Sequence, residues 1–186
     1  MLDKKRVLVV SVFIILIACI IFGVWIFVQN KDEEGVITEY TPQEEITDAQ
    51  MRQTMVTLYF KNDDGIMPEL RTIDVKELLD NPYEKVLAML IEGPKSESLQ
   101  KTIPEGTKVN KIERTGDTLI IDFTEEFILN HIGGETEEKL TIQSIVKTLT
   151  ELTEINGVEI KINGEENKGF QDGFVKFDVV FTRETI

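Results

Sequence analysis

The sequence predicts an α+β domain behind a single transmembrane helix. Its strands and helices follow the order β-α-β-β-α-β, with one further C-terminal strand. They are expected to fold as a sandwich whose mixed sheet carries two helices on one face. Three observations predict this. Residues 7–28 form an apolar run of 22 residues that nothing else in the chain approaches. Two later segments repeat apolar residues at helical spacing between start and stop signals. Around them, short segments alternate apolar and polar residues and end in turn residues.

The apolar run is long enough to span a membrane. At about 1.5 Å per residue it matches a hydrocarbon core of roughly 30 Å. Lys4, Lys5 and Arg6 precede it, and Gln29, Asn30, Lys31, Asp32, Glu33 and Glu34 follow. The excess of cations on the N-terminal side makes residues 1–6 a cytoplasmic stub and places the rest of the chain outside. Trp25 and Phe27 lie near the outer end, where aromatic rings favour the interface. A cleavable signal peptide would have a shorter apolar core and a small-residue cleavage site. A second reading stays open, because Leu16-Ile17-Ala18-Cys19 resembles the lipobox of bacterial lipoproteins, in which Cys19 would carry the lipid. Against it, the chain stays apolar for nine residues after Cys19. Both readings leave the C-terminal bulk on the same outer face.

Residues 29–53 hold seven acidic side chains, two basic ones and Pro42, without helical or strand periodicity. They read as an acidic flexible linker with a reach of roughly 25–30 Å. The whole chain has 34 acidic and 20 basic residues, a net charge of −14. That balance excludes a phosphate-tracking nucleic-acid binder and a polybasic membrane-surface protein. One Cys and one His exclude a disulfide framework, a cysteine zinc site and paired-histidine metal motifs. Apolar residues make up 41% of the chain, enough for a packed core in residues 54–186.

Within that domain, residues 54–60 read as a strand with Val56, Leu58 and Phe60 on one face. Asn62-Asp63-Asp64-Gly65 is a turn; the later ligand positions of a calcium loop are missing. Residues 69–75 suggest a second extended piece. Asn81-Pro82 and Glu84 start a helix, with Asn81 as N-cap and Pro82 at its first position. Val86, Leu87, Leu90 and Ile91 form its buried stripe, and Gly93-Pro94 stops it. Pro104-Glu105-Gly106 is a loop. Residues 108–114 and 118–123 are strands joined around Gly116-Asp117. Val109 and Ile112 have opposite parity, which predicts a bulge or an irregular edge in the first of these strands. Leu119, Ile121 and Phe123 share a face with Ile120 on the other, so the second strand is expected to be central.

A second helix is expected over residues 135–152, with Ile142, Ile145, Val146, Leu149 and Leu152 on one face. Gly133-Gly134 opens it, Glu135, Glu137 and Glu138 suit its positive end, and Asn156-Gly157 closes it. Val158, Ile160 and Ile162 alternate with Glu159 and Lys161 as a half-buried strand, which Asn163-Gly164 ends. Val175, Phe177, Val179 and Phe181 suggest a last strand.

Reactive chemistry is sparse. The chain has no nucleophile elbow, no phosphate loop and no Cys–His pair. His131 stands alone before a helix and reads as a surface or helix-entry residue. Asp122, Glu125 and Glu126 cluster after the central strand. They imitate a glycosidase carboxylate pair, or they are a solvated cluster or cap. Gly133-Gly134 could cradle an anion at a helix N-terminus, but three glutamates within four residues would repel one. No cofactor and no metal site is expected.

Several motifs carry a family resemblance. They are Val56-Thr57-Leu58-Tyr59-Phe60, Leu70-Arg71-Thr72, Leu90-Ile91-Glu92-Gly93-Pro94, Ile103-Pro104-Glu105-Gly106-Thr107 and Ile121-Asp122-Phe123-Thr124-Glu125-Glu126-Phe127. In the second half, Gly133-Gly134-Glu135, Leu140-Thr141-Ile142-Gln143-Ser144-Ile145-Val146, Thr148-Leu149-Thr150, Gly157-Val158 and Asn163-Gly164-Glu165 continue it. Together, over residues 54–166, they resemble the GerMN domain of sporulation and germination proteins of spore-forming bacteria. The resemblance implies a fold like that of ring-building-motif domains, a place in the envelope outside the cytoplasmic membrane, and no known catalysis.

The expected function is therefore that of a membrane-anchored, extracytoplasmic, non-enzymatic scaffold of the Gram-positive envelope, in sporulation or germination. Its partners would be envelope or sporulation-complex proteins or a second copy of the chain. Nucleic acid is not expected, and the membrane contact runs through residues 7–28. Alternatives are a module binding cell-wall glycan or another envelope ligand, and a hydrolase using Asp122 with Glu125 or Glu126. An aromatic content of 8% without an exposed-looking cluster argues against a glycan platform. Glu92 and Gln143 are polar residues that capping and packing leave unexplained, so they are candidate surface contacts. The irregular strand from Lys108 to Arg114 is a second candidate, as an edge able to take a partner's strand.

Overall fold

The computed structural model of the chain describes residues 17, 19–22, 24–26 and 52–186. Most of the predicted anchor and linker, and all of residues 1–6, lie outside the described residues. The described residues within 17–26 are helical and Cys19 is exposed. Among the described residues no helix is long and apolar enough to cross a membrane.

Residues 52–186 belong to one compact unit with mixed α+β structure. β1 (Gln53–Asn62) and β2 (Gly65–Asp74) are an antiparallel hairpin. Its turn is fixed by the Asn62 Oδ1, which accepts the Asp64 N–H at 3.0 Å. α1 (Val75–Asp80) follows directly, capped by the Asp74 carboxylate on the Lys76 N–H. α2 (Pro82–Glu92) then presents Val86, Leu87 and Leu90 to the core. β3 (Val109–Thr115), β4 (Thr118–Phe123), β5 (Gly157–Ile162) and β6 (Phe181–Thr182) form a sheet in the order β3-β4-β5-β6. α3 (Glu126–Leu129) and α4 (Glu135–Leu149) connect β4 to β5, which lie parallel; the other pairs are antiparallel.

The parallel register sets Leu119 beside Val158, Ile121 beside Ile160 and Phe123 beside Ile162. Those six side chains are buried and form one face of the sheet. Ile120, Asp122, Glu159 and Lys161 on the other face are only half-buried. Leu58 and Phe60 from β1, the α2 stripe and Ile142, Ile145, Val146 and Leu149 from α4 complete one core. Phe127 stacks on Phe123 at 4.5 Å between centroids, and Phe170 and Phe177 pack around it.

Several expectations needed correction. β1 does not join the main sheet; β2 is its partner strand, so the domain has two sheets. β2 begins right after the turn, and Val75 starts a helix, because Asp74 captures the next free N–H group. Asn81 occupies the N-cap position of α2 without a side-chain cap bond. The second helix stops at Leu149, beyond which the Glu151 and Leu152 N–H groups bond three residues back, to Thr148 and Leu149, and tighten the last turn. The last strand is two residues long: Phe177 and Phe181 are buried, but Val179 is exposed, so the apparent alternation is a loop dipping twice into the core. α3 had no periodic signal, being four residues long.

Candidate functional site

The strand predicted to be irregular is an outer strand of the sheet, and its register breaks between Val109 and Lys111. The parity conflict of Val109 and Ile112 is thus a β-bulge with Asn110 as the extra residue. Beyond the bulge, Lys111 to Thr115 pair regularly with Asp122 to Thr118. A strand paired on one side leaves alternate N–H and C=O groups pointing away from the sheet. A groove of about 620 Å³ lies beside the first half of β3, between it and α2. Glu84, Ala88 and Ile91 line it from the helix, three residues on one face at helical spacing. The five consecutive residues 108–112 line it from the strand.

Lys108 and Arg114 bracket this edge. Arg114 donates to the Gly116 carbonyl at 2.8 Å and to the Tyr83 hydroxyl at 3.4 Å, tying the far end of β3 to the start of α2. Lys108 borders the groove at the bulged end. Between them Lys111 and Glu113 form an exposed ion pair at 2.7 Å on the outer face. The edge is polar on one face and, through Val109 and Ile112, apolar on the other.

Glu92 and Gln143 are not brought together. Glu92 ends α2, is exposed, and lies 3.8 Å from Arg71. Gln143 is half-buried and lines a small cleft of about 150 Å³ with Lys139, Val175, Phe181 and Ile186. Glu92 therefore belongs to a structural latch. Buried Arg71 pairs with Glu69 and donates to the Gly93 carbonyl at 2.6 Å. Glu69 accepts the Lys95 and Ser96 N–H groups at 3.0 and 2.9 Å. Burial pushes the Glu69 carboxyl up, but those N–H groups and Arg71 outweigh it and hold it below the usual carboxylate range. Gly93 has φ +101, and a Cβ there would meet Lys101 carbons at 2.6 Å. The latch and this glycine give Arg71, Glu92 and Gly93 structural work in the fold.

The carboxylate cluster has structural work. Asp122 accepts the Gly164 N–H at 2.8 Å and fixes the turn after β5. Glu126 is held below the usual range by a hydrogen bond from Thr124, the wrong direction for a glycosidase acid. The anion at Gly133-Gly134 is the chain's own: the Asp172 carboxylate accepts the Gly134 N–H at 2.7 Å. The repulsion expected from the glutamates is relieved by their own contacts. Glu135 pairs with Lys139, Glu137 with Lys61, and Glu138 is fully buried, accepting the Val175 N–H at 2.7 Å. Among the described residues, no three His, Cys, Asp or Glu side chains converge as metal ligands.

A hydroxyl network on α4 escaped the sequence reading. Ser144 donates to the Tyr59 carbonyl at 2.5 Å, and the Tyr59 N–H donates to the Thr148 hydroxyl at 2.9 Å. Thr102 bridges to Ser144 at 2.6 Å, and Thr141 donates to the Thr102 carbonyl at 2.9 Å. His131 closes the line. Its Nδ1 accepts the Gly133 N–H at 3.1 Å, so its Nε2 carries the proton and donates to Thr141 at 2.9 Å. The available signal was the spacing of Thr141, Ser144 and Thr148, which set three hydroxyls beside an apolar stripe.

Comparison with known proteins agrees with this architecture. The family Germane, described as sporulation and spore germination, matches residues 57–168. The spore germination protein GerM of Bacillus subtilis is 34% identical over 94 residues, covering 48% of this chain and 25% of GerM. The chain thus spans about a quarter of that curated relative. The solved tandem GerMN domains of GerM superpose with a TM-score of 0.59 at 24% identity, over 72% of this chain and 46% of theirs. The first GerMN domain alone gives 0.58 at 24%, over 70% of this chain and 98% of that domain. At that identity the structures speak for the fold, and the family match speaks for descent: this chain belongs to the Germane family and is a GerMN-domain protein resembling GerM.

Proposed function

We propose that the chain is a membrane-tethered interaction module of the Gram-positive cell envelope, exposed outside the cytoplasmic membrane and acting in sporulation or germination without catalysis. One observation carries the reading. The β3 edge lies open beside α2, while Asp122 and Glu126, two of the three clustered carboxylates, are held by local hydrogen bonds. Binding by strand addition uses main-chain hydrogen bonds for affinity and alternate side-chain pockets for specificity, and the groove offers both. The apolar run of residues 7–28 supports the tether, and GerM supports the developmental setting.

The test is cross-linking of the full chain in growing and in sporulating cells. Replacing Asp122→Asn, Glu125→Gln and Glu126→Gln together should leave the recovered partner and the cellular function intact, once folding is verified. Substitutions along 108–114 should remove the partner. Loss of function by the folded amide variant, with every β3 variant active, would overturn the proposal in favour of hydrolysis. Retention on purified cell wall that ignores the β3 variants would favour glycan binding instead.

A further inference from the structure

The domain's strand edges are treated unequally. β1 is closed by Ser144 and Thr148 of α4 and by the Lys61 N–H on the Gln100 carbonyl. β2 carries Pro68, which has no N–H to offer a new strand. β6 is two residues long. Among the described residues, β3 is the long strand with an edge that is neither covered nor interrupted by proline. Edges of this kind template further pairing.

The residues of β3 say which strand fits. We infer that the edge takes the same strand of a second copy, running antiparallel about a two-fold axis through Ile112; this rests on the interaction-module reading above and names its partner. With Ile112 opposite Ile112 of the second copy, Lys111 falls opposite Glu113, and Glu113 opposite Lys111. The intrastrand Lys111–Glu113 pair then becomes half of a four-charge cluster in which every neighbour has the opposite sign. Directly opposed unlike charges favour antiparallel pairing and like charges oppose it. Sliding by two residues sets Glu113 or Lys111 against itself, and sliding by one sets outward-facing backbone groups opposite inward-facing ones, so charge and ladder together select the register.

The faces agree as well. Ile112 lies opposite Ile121 in the register and so on the apolar face, with Lys111 and Glu113 on the outer face. In the two-fold pair the incoming Ile112 also reaches the apolar face. There Ala88 and Ile91 of α2 and Val109 leave the groove of about 620 Å³. The bulge at Asn110 limits the regular ladder about this axis to residues 111–113 of each copy, the stretch that holds Ile112 and the two charges. Such a contact is isologous and closes at two copies.

The experiment uses the full chain in detergent micelles, with mass read by light scattering over a dilution series. The variants are Lys111→Glu, Glu113→Lys, the double exchange, and an equimolar mixture of the two single variants. Each is first checked for an unchanged melt. Either single variant should weaken the dimer about tenfold, since it sets like charges opposite each other at two symmetric positions. The double exchange and the mixture should restore it, because both set unlike charges directly opposite each other. Dimers that ignore all four changes would place the contact elsewhere, as through residues 7–28, and overturn the inference. A wild-type monomer at every concentration would overturn it too. The interaction-module reading would survive either result if β3 variants still lost a cross-linked partner in cells, and would fall separately if they did not.

Discussion

β1 and β3 are both outer strands, yet one is sealed and the other open. β1 places its outward backbone groups against α4, where Ser144 and Thr148 act as a substitute neighbouring strand. β3 faces a groove. The contrast shows that edge protection follows from what packs alongside a strand. Leu58 and Phe60 of β1 are fully buried, so its unpaired amides would be buried with them and require partners. Residues 110, 111, 113, 114 and 115 of β3 are exposed, and its outward amides are available for other bonds.

The largest break in this contrast comes from α4 itself. Leu149 is fully buried beside the hydroxyl line. Leu149→Asp would strand a lone carboxylate in the core at a cost of several kcal/mol, against a total stability of roughly 5–15 kcal/mol. Calorimetry should show no cooperative transition; a normal melt would mean that α4 does not close the core. Thr148→Val is gentler. It keeps shape and burial but leaves the Tyr59 N–H without its acceptor, so denaturant titration should read a loss of about 1–3 kcal/mol. A neutral result would show that water replaces the hydroxyl and that the seal on β1 is dispensable.

Acid tests the same region more subtly. Burial lowers the His131 pKa below its ordinary 6.5; Glu137 and Asp172 pull it back up, and Lys61 adds to the depression. The unfolded chain therefore takes up this proton first. The contribution of His131 is complete above about pH 6.5, declines as pH falls below it, and levels off once the folded imidazole is protonated too. Glu69, Glu135, Glu151 and Glu166 are all held below 4.5, so their contributions fade only at lower pH. Stability between about pH 6.5 and 4.5 should thus fall in the wild type and stay flatter in His131→Gln. Equal slopes would remove His131 from the account. The smallest effect is expected at the open edge. Glu113→Lys should change monomer stability by no more than about 0.5 kcal/mol, since exposed pairs contribute little, and Lys111→Glu by up to about 1 kcal/mol, since it sets a second carboxylate opposite Asp122. A larger loss would mean that β3 is held by its surface charges.

The sequence by itself determined those features that depend on near neighbours. Proline at the first position of α2, glycine at its end, the alternation in β4 and β5 and the parity break in β3 all act within a few residues, and each is found where the pattern placed it. The parity break also pointed to the edge, although Glu92, chosen for lack of a local explanation, lies beside the distant Arg71. Tertiary structure alone decided that β1 stays out of the main sheet. The Val56, Leu58 and Phe60 stripe suits either sheet, and only the short Asp63-Asp64 turn and the arrival of α4 commit β1 to β2. It also decided what satisfies buried polar groups. Asp172 reaches Gly134 from 38 residues away and Thr148 reaches Tyr59 from 89. Periodicity carries no record of such separations, because a hydrogen bond depends on where two groups meet in space and on how much water is excluded there.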